Sequence, residues 1–252
     1  MAFSDSSDAL EPAGARHVAC IMDGNGRWAT QRGLGRIDGY RASEAAIMAV
    51  VDAAIEKGVN WLTLFAFSTE NWERPAEEVA FLMELNARLI ERYALGFRDR
   101  GIRVRYLGRQ TAPIPAPVLS EIQRIQDLTA ENTTLNLTFA FNYGGRSEMV
   151  DAVRRLLQDG TPPSQVDERA IASHLQYPEM PDPDVIVRTG GEHRLSNFLL
   201  WGAAYAELFF LDDVLWPDMR SSHLHAVLES YERRRRTFGA LRPGPSPARV
   251  VP

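Results

Sequence analysis

Short apolar runs of strand character alternate with helix-like stretches along most of this chain. The predicted strands lie at residues 17–22, 60–67, 102–107, 134–141 and 184–188, with a shorter candidate at 207–211. The predicted helices lie at residues 42–57, 75–97, 118–130, 147–158, 168–175 and 222–236. Consecutive parallel strands need a crossover between them, and that crossover is usually a helix. The pattern therefore predicts an α/β fold with a mainly parallel central sheet flanked by helices.

The length of 252 residues suits one α/β domain. We predict a single domain at residues 16–239, with disordered tails at residues 1–15 and 240–252. The first tail is acidic and rich in Ser and Ala, and the second is rich in Pro, Gly and Arg. Segments of such composition do not bury enough apolar surface to order themselves.

Composition excludes several classes of protein. The net charge of −5 argues against nucleic acid as a partner. The single cysteine, Cys20, excludes an internal disulfide, and its apolar neighbours predict a buried side chain rather than a nucleophile. The first residues lack the order of a signal peptide, and no apolar run reaches the roughly 20 residues that span a bilayer. We expect a cytoplasmic protein that contacts a membrane only transiently, at its surface.

Polar residues follow the predicted strands at the points where these end. Asp23 ends the first strand, Ser68 the second and Arg188 the fifth, and Asn142 follows the fourth. Open parallel sheets bind ligands beyond the carboxyl ends of their strands. We therefore expect these residues to meet at one edge of the sheet.

The segment after the first strand combines one carboxylate with two glycines. Gly24 and Gly26 flank Asn25 between Asp23 and Arg27. Such glycines allow a ligand close to the backbone, and the amides at a helix start favour phosphate. A plain tight turn is the alternative, because Asp-Gly and Asn-Gly are common turn pairs. The segment matches neither a Walker loop nor a dinucleotide-binding fingerprint.

A second charged segment lies at residues 188–197. Two arginines and a serine, Arg188, Arg194 and Ser196, have the donors to clamp a diphosphate. His193 has no second histidine four residues away, so the spacing argues against zinc. Oxygen ligands such as Asp23 and Glu207 indicate Mg²⁺ instead.

The loop after the second strand is the densest polar stretch, with Ser68, Asn71, Trp72 and Arg74. Loops at strand ends concentrate binding residues. The alternative is structural: the serine caps a turn and the indole plugs a cleft. Large apolar residues in the predicted helix at 75–97 and strand at 134–141 read as core, or as lining for a long apolar molecule.

Taken together, the motifs resemble those of the cis-prenyltransferases, or Z-type isoprenyl diphosphate synthases, which include bacterial undecaprenyl diphosphate synthase. The resemblance covers residues 16–239. The matching residues are 17–19, 22–29, 67–72, 74–75, 142–146, 188–194, 196–198, 201, 204–207 and 215–218. Residues 236–239 are similar to a terminal motif that reaches the partner subunit's site.

The resemblance implies an activity, a fold and a set of roles. The activity is Mg²⁺-dependent condensation of isopentenyl diphosphate with an allylic diphosphate such as farnesyl diphosphate, each new double bond being cis. The fold is a homodimer of parallel α/β subunits with a hydrophobic tunnel. Asp23 would organise Mg²⁺ and the leaving diphosphate, with Glu207 and His193 completing the metal site. Asn71, beside Ser68 and Trp72, would position the isopentenyl group for proton loss.

The remaining implied roles are in substrate binding. The allylic diphosphate would be held by Gly24, Asn25, Gly26, Arg27 and Arg36, and isopentenyl diphosphate by Arg188, Arg194 and Ser196. Trp28, Tyr40 and Arg74 complete the candidate set.

One departure concerns product length. Tyr40 stands where many undecaprenyl synthases have His, and a phenol supplies no positive charge at neutral pH. Tyrosine at this point also occurs in short-chain members. A long-chain lipid-carrier synthase, a short-chain synthase and a non-catalytic partner subunit therefore stay open. Phe81, Phe139 and Phe141 are the candidates for shortening a tunnel.

Overall fold

The central sheet of the computed structural model, which describes residues 14–234, has six parallel strands in the order β3-β4-β2-β1-β5-β6. The strands are β1 His17–Ile21, β2 Trp61–Ser68, β3 Ile102–Leu107, β4 Leu135–Tyr143, β5 Val185–Thr189 and β6 Glu207–Leu211. The helices are α1 Asn25–Gln31, α2 Arg36–Glu56, α3 Ala76–Asp99, α4 Ala116–Leu128, α5 Gly145–Gln158, α6 Glu168–Ala172 and α7 Ser221–Glu232. The α/β prediction is confirmed.

β1 and β5 are buried on both faces and β3 nearly so, whereas the edge strand β6 is only partly buried. Successive side chains of β1 point to opposite faces, and they separate into two packed clusters. Val18 and Cys20 belong to the larger cluster, which includes residues of α2, α3, α4 and α7. Ala19 and Ile21 belong to the smaller cluster with Phe198. Cys20 is fully buried, and burial raises the pKa of its thiol to about 12.

The first helical region is longer than the sequence pattern indicates. Residues 25–31 form α1, where the pattern predicts a turn and no separate helix, and α2 starts at Arg36 instead of residue 42. Their crossing is close: a Cβ on Gly39 would clash with the backbone carbonyl of Asn25. Glycine at position 39 thus brings α1 against α2, beside the carboxyl end of β1.

Part of the domain prediction lies outside the described residues. The predicted tails fall there except at Gly14 and Ala15, and so does the motif at residues 236–239. Ala15 packs in the larger core cluster, so this residue belongs to the packed domain and not to a tail. No helix within residues 14–234 is both long and apolar enough to cross a bilayer.

Candidate active site

A cleft of about 390 Å³ opens at the carboxyl edge of the sheet. Its polar part is formed by residues that follow β1, β2 and β5 together with the start of α2. Thirteen of the predicted residues line it: Asp23, Gly24, Asn25, Gly26, Arg27, Arg36, Tyr40, Ser68, Asn71, Arg74, Arg188, Arg194 and Ser196. The expected convergence of strand ends is therefore present, although Asn142 lies behind the cleft and not on its surface.

Asp23 is held from three sides. Its Oδ1 accepts a hydrogen bond of 2.6 Å from the Gly24 amide and lies 3.3 Å from Nη2 of Arg27. Its Oδ2 accepts a 2.8 Å hydrogen bond from Nη2 of Arg188. Gly24 has φ of 105°, a conformation that glycine adopts without strain and that turns its amide back toward the carboxylate. The carboxylate is thus fixed in position and still faces the cleft.

Arg188 is the buried member of the arginine set. Its Nη1 donates to the carbonyl of Arg194 and, at 2.9 Å, to the hydroxyl of Ser196. Its Nε has no hydrogen-bond partner among the described residues. Because a buried, unpaired donor is costly, this N–H is suited to an anionic ligand.

A network around Glu78 joins α2 to α3 at the rim of the cleft. Its carboxylate accepts hydrogen bonds from Tyr40 at 2.7 Å, Arg74 at 3.1 Å and Arg36 at 3.2 Å. Burial alone would raise the pKa of Glu78, but the hydrogen bonds from Tyr40 and Arg36 hold the pKa below its ordinary value. The two arginines are thereby held with their guanidinium groups at the rim. Sequence reasoning missed Glu78, which reads as one of several acidic residues in a first helical turn.

Tyr40 lies within this network and stays neutral. Burial raises the pKa of its phenol to about 12. Its hydroxyl donates to Glu78 and accepts a 2.7 Å hydrogen bond from Arg74. The tyrosine thus orients the carboxylate and the arginine without adding charge.

The turn after β2 is organised by Asn71. Its side-chain oxygen accepts a 3.1 Å hydrogen bond from the Ser68 amide, which closes the turn and leaves both side chains on the cleft. Glu70 beside it accepts a 2.8 Å hydrogen bond from Asn197. Asn197 also binds the amides of Gly145 and Arg146 through its backbone and side-chain oxygens, at 2.7 Å and 2.9 Å.

Asn197 therefore links three loops around the cleft, a role that sequence reasoning did not assign to it. Ser196 and Asn197 both have positive φ values, 50° and 64°. Such conformations cost energy in residues other than glycine and persist where the surroundings fix them.

Two predicted substrate residues do not line the cleft. The indole of Trp28 donates to Asp218 at 2.9 Å, behind α1. The indole of Trp72 donates to Asn142 at 2.9 Å and lines a separate groove beside α4. Both indoles hold neighbouring segments together, and the structure does not place them on the cleft with the other predicted substrate-binding residues.

Glu207, the predicted second metal ligand, also lies away from the cleft. Glu207 pairs with Val185, the first residue of β5, at the amino edge of the sheet, opposite Asp23. Its carboxylate accepts a 2.8 Å hydrogen bond from Arg234. His193 contacts Asp212 at 2.7 Å and stacks on Phe210 outside the cleft. Within one chain neither residue shares a metal site with Asp23.

The side chains that line the cleft fit Mg²⁺ only when a bound ligand supplies further oxygen atoms. Of the described residues that line the cleft, Asp23 alone is a carboxylate, and no group of three or more His, Cys, Asp or Glu in residues 14–234 could hold an ion. Mg²⁺ commonly binds through one or two carboxylates together with phosphate oxygens and water. The residues present thus fit a cation that arrives with a diphosphate.

The cleft becomes apolar with depth. Beyond the arginines its walls are formed by Ile47, Leu82, Leu85, Leu89 and Phe141. Phe139 lines a smaller inner cavity that follows, whereas Phe81 contacts neither cavity and lies under Arg41 and Arg88. The apolar pattern of the predicted helix at 75–97 and strand at 134–141 includes most of these residues but does not separate the lining of the cleft from the core.

Comparison with known proteins identifies the family of the chain. Residues 21–239 match the model of the family described as "Putative undecaprenyl diphosphate synthase". The chain is 46% identical to a trans,polycis-polyprenyl diphosphate synthase of Thermobifida fusca, described as (2Z,6E)-farnesyl diphosphate specific, across 91% of this chain and 82% of that protein. It is 44% identical to decaprenyl diphosphate synthase of Mycolicibacterium smegmatis, across 88% of this chain and 77% of that protein.

A solved structure shows the same architecture. Lavandulyl diphosphate synthase from Lavandula x intermedia, in complex with dimethylallyl diphosphate, superimposes with a TM-score of 0.84 at 29% sequence identity. The match covers 90% of this chain and 99% of that one.

Proposed function

The chain belongs to the undecaprenyl diphosphate synthase family and is a cis-prenyltransferase, and from this premise we propose that it uses Mg²⁺ to extend farnesyl diphosphate with isopentenyl diphosphate. The product is a long polyprenyl diphosphate of the undecaprenyl type, the precursor of a lipid carrier.

The observation that supports this proposal most strongly is the change from a charged mouth to an apolar depth along the cleft. Five arginines surround a single carboxylate at the mouth, and leucines and aromatic residues line the depth. The ligand that matches is a chain with a diphosphate at one end and hydrocarbon at the other. Arginine suits the head because its planar guanidinium binds phosphate oxygens in pairs.

The two substrates need two diphosphate sites, and the arginines form two groups. Arg27 and Arg36 lie on the α1 and α2 side, where the guanidinium of Arg36 packs against Gly26. We assign the allylic diphosphate to this side. Arg194, Ser196 and the unpaired Nε of Arg188 lie on the β5 side, which we assign to isopentenyl diphosphate.

Asp23 lies between the two groups and is the residue we assign to Mg²⁺. When bound, the ion supplies charge neutralisation to the departing diphosphate. The arginines add to this stabilisation in a site where apolar walls exclude water from the reacting carbons. Asn71, fixed by the Ser68 amide, is positioned to orient the isopentenyl group for proton loss.

A short-chain product is the second candidate. The inner cavity has a volume of only about 30 Å³, and Tyr40 occupies the position that is tyrosine in short-chain members. The test is incubation with Mg²⁺, labelled isopentenyl diphosphate and a C5, C10 or C15 allylic diphosphate, with products sized by chromatography. A ladder of long products from the C15 starter supports the polyprenyl assignment. Accumulation of C15 or C20 supports the short-chain enzyme, and no condensation would leave a non-catalytic subunit.

We also propose a homodimer that pairs through the β6 side. This edge strand and the turn before it carry exposed apolar side chains, with Tyr205 72% exposed and Leu208 41% exposed. Uncovered sheet edges and apolar patches are typical of association surfaces. Sedimentation velocity of the wild type against Leu208→Asp checks this: a dimer that dissociates in the variant supports the surface, and an unchanged dimer contradicts it.

A product with a long hydrocarbon tail also leads us to propose brief membrane contact during release.

A further inference from the structure

The apolar cleft continues into a narrow inner cavity between the sheet and the two long helices α2 and α3. Ile47, Asn86 and Leu89 line both spaces, so the two lie side by side with these side chains between them. The inner cavity, about 30 Å³, has room for about one water molecule. Aromatic residues close its far end, where Tyr93 stacks near Phe97 with ring centroids 5.8 Å apart. A hydrocarbon chain that grows past Leu89 therefore needs another way out.

A second space lies on the outer side of the same wall. It is a groove of about 260 Å³ between α2 and α3, and its apolar floor is formed by Leu85 and Leu89. Arginine side chains of both helices form its rim. Glu44 and Leu89 line the groove and the inner cavity alike. These two side chains therefore separate the end of the tunnel from the surface.

Glu44 is held across the gap between the helices. Glu44 belongs to α2, and its carboxylate accepts a 2.6 Å hydrogen bond from Arg92 of α3 and a short hydrogen bond from the hydroxyl of Tyr93. Its side chain is 22% exposed, and partial burial alone would raise its pKa. The hydrogen bonds from Tyr93 and Arg92 instead hold the pKa of Glu44 below its ordinary value, so the carboxylate is charged when it closes the wall.

A similar ion pair joins the same helices farther along. Asp52 accepts a 2.5 Å hydrogen bond from Arg100. Asp52 lies eight residues after Glu44, and Arg100 lies eight residues after Arg92. Neither Asp52 nor Arg100 lines the cleft, the inner cavity or the groove. The two pairs hold the helices together in the same way, but only the Glu44 pair stands between the tunnel and the groove.

We propose that Glu44, with Arg92 and Tyr93, is a side gate that limits product length. The inference rests on the proposed synthase activity. While the ion pair is closed, the growing chain stops at the inner cavity. When the pair separates, the chain passes between α2 and α3 into the groove, where Leu85 and Leu89 receive it. The residue thus determines specificity for the length of the product and takes no part in the condensation itself.

The test compares Glu44→Gln with Asp52→Asn. Both substitutions keep side-chain volume and remove one inter-helix ion pair, but only the first lies at the gate. Product sizing with labelled isopentenyl diphosphate is expected to show that Glu44→Gln lengthens the main product by at least one C5 unit, while Asp52→Asn matches the wild type. An unchanged product in Glu44→Gln, or an equal shift in both variants, would overturn the gate.

A binding measurement keeps the test independent of catalysis. Saturated C10 and C20 alkyl diphosphates are titrated into each protein by calorimetry. Relative to C10, Glu44→Gln is expected to bind C20 about threefold more tightly than the wild type does, the size expected of a partly exposed ion pair. Equal preferences in the two proteins would contradict the gate. If no protein incorporates isopentenyl diphosphate, the proposed function fails, and the alkyl diphosphates still decide whether the gate exists.

Discussion

Arg188 donates a 2.8 Å hydrogen bond to Asp23, and the arginine side chain is only 4% exposed. The carboxylate therefore compensates a buried positive charge in addition to facing the cleft. The same side chain is needed for stability and for the assigned chemistry. Variants of Asp23 must be chosen so that the two effects can be separated.

Replacing Asp23 with Ala is expected to destabilise the protein. The change leaves the guanidinium of Arg188 buried without its counter-ion, which costs roughly 3–5 kcal/mol for a fully buried pair. Because Asp23 is 30% exposed, we expect about 1–3 kcal/mol. Asp23→Asn keeps a hydrogen-bond acceptor and should lose less. Urea unfolding of the three proteins checks this, and equal stabilities of wild type and Asp23→Ala would show that the pair contributes nothing.

Removing the hydroxyl of Tyr40 is expected to weaken binding of the allylic diphosphate. Tyr40→Phe loses the hydrogen bonds to Glu78 and from Arg74, so Glu78 and the Arg36 guanidinium that it holds are positioned less firmly. A loss of about 1 kcal/mol corresponds to a three- to tenfold rise in KM with a smaller change in kcat. Because the pKa of Tyr40 is about 12, the substitution should leave the pH profile unchanged between pH 6 and pH 9. A pH profile that flattens in the variant would assign titration to Tyr40 and contradict this role.

Stability should fall in mild acid because of His17. Burial lowers the pKa of this histidine to about 4, and its ring contacts the carbonyl of Pro181 at 2.6 Å and Thr63 at 2.8 Å. Between pH 6.5 and pH 4 the unfolded chain binds the proton that the folded protein excludes, so stability decreases as the pH falls. From pH 7 to pH 5 the loss is about 1–2 kcal/mol. Denaturant unfolding at both pH values should show a smaller decrease for His17→Gln, and equal decreases would exclude His17 as the source.

Two helical glycines are expected to respond in opposite directions to alanine. Gly39→Ala forces a methyl group into the carbonyl of Asn25 and should lower the melting temperature or displace α1. Gly96→Ala in α3 meets open space and should stabilise by about 0.5–1 kcal/mol. Thermal unfolding of both variants checks the comparison. A neutral Gly39→Ala would mean that the α1–α2 contact is looser than the structure indicates.

Much of the fold follows from local patterns in the sequence. Six apolar strands with intervening amphipathic helices limit the chain to a parallel sheet, and the polar residues after β1, β2 and β5 then share an edge. The short helix α1 was missed because Gly24, Gly26 and Gly33 are typical of turns. Its position depends on the contact of Gly39 with Asn25, which no local pattern contains.

Three predicted site residues lie away from the cleft, and the sequence could not indicate this. Residue type predicts the chemistry of a side chain but not the direction in which it points. Trp28 and Trp72 lie in the right segments and face away from the cleft, toward Asp218 and Asn142. Glu207 is at the beginning of its strand, and only the register of β6 against β5 shows that it lies at the opposite edge from Asp23. Glu78 and Asn197 were missed because their partners are distant in sequence.

We propose that Asp23 and Mg²⁺ together drive transfer from an allylic diphosphate at this cleft. The most direct measurement is incorporation of labelled isopentenyl diphosphate onto farnesyl diphosphate by the wild type and Asp23→Asn, each with Mg²⁺ and with excess EDTA. We predict extended products from the wild type with Mg²⁺ alone, and a rate lower by about 10²–10³-fold or more in the folded Asp23→Asn protein. Near-normal incorporation by Asp23→Asn, or by the wild type in EDTA, would contradict the account.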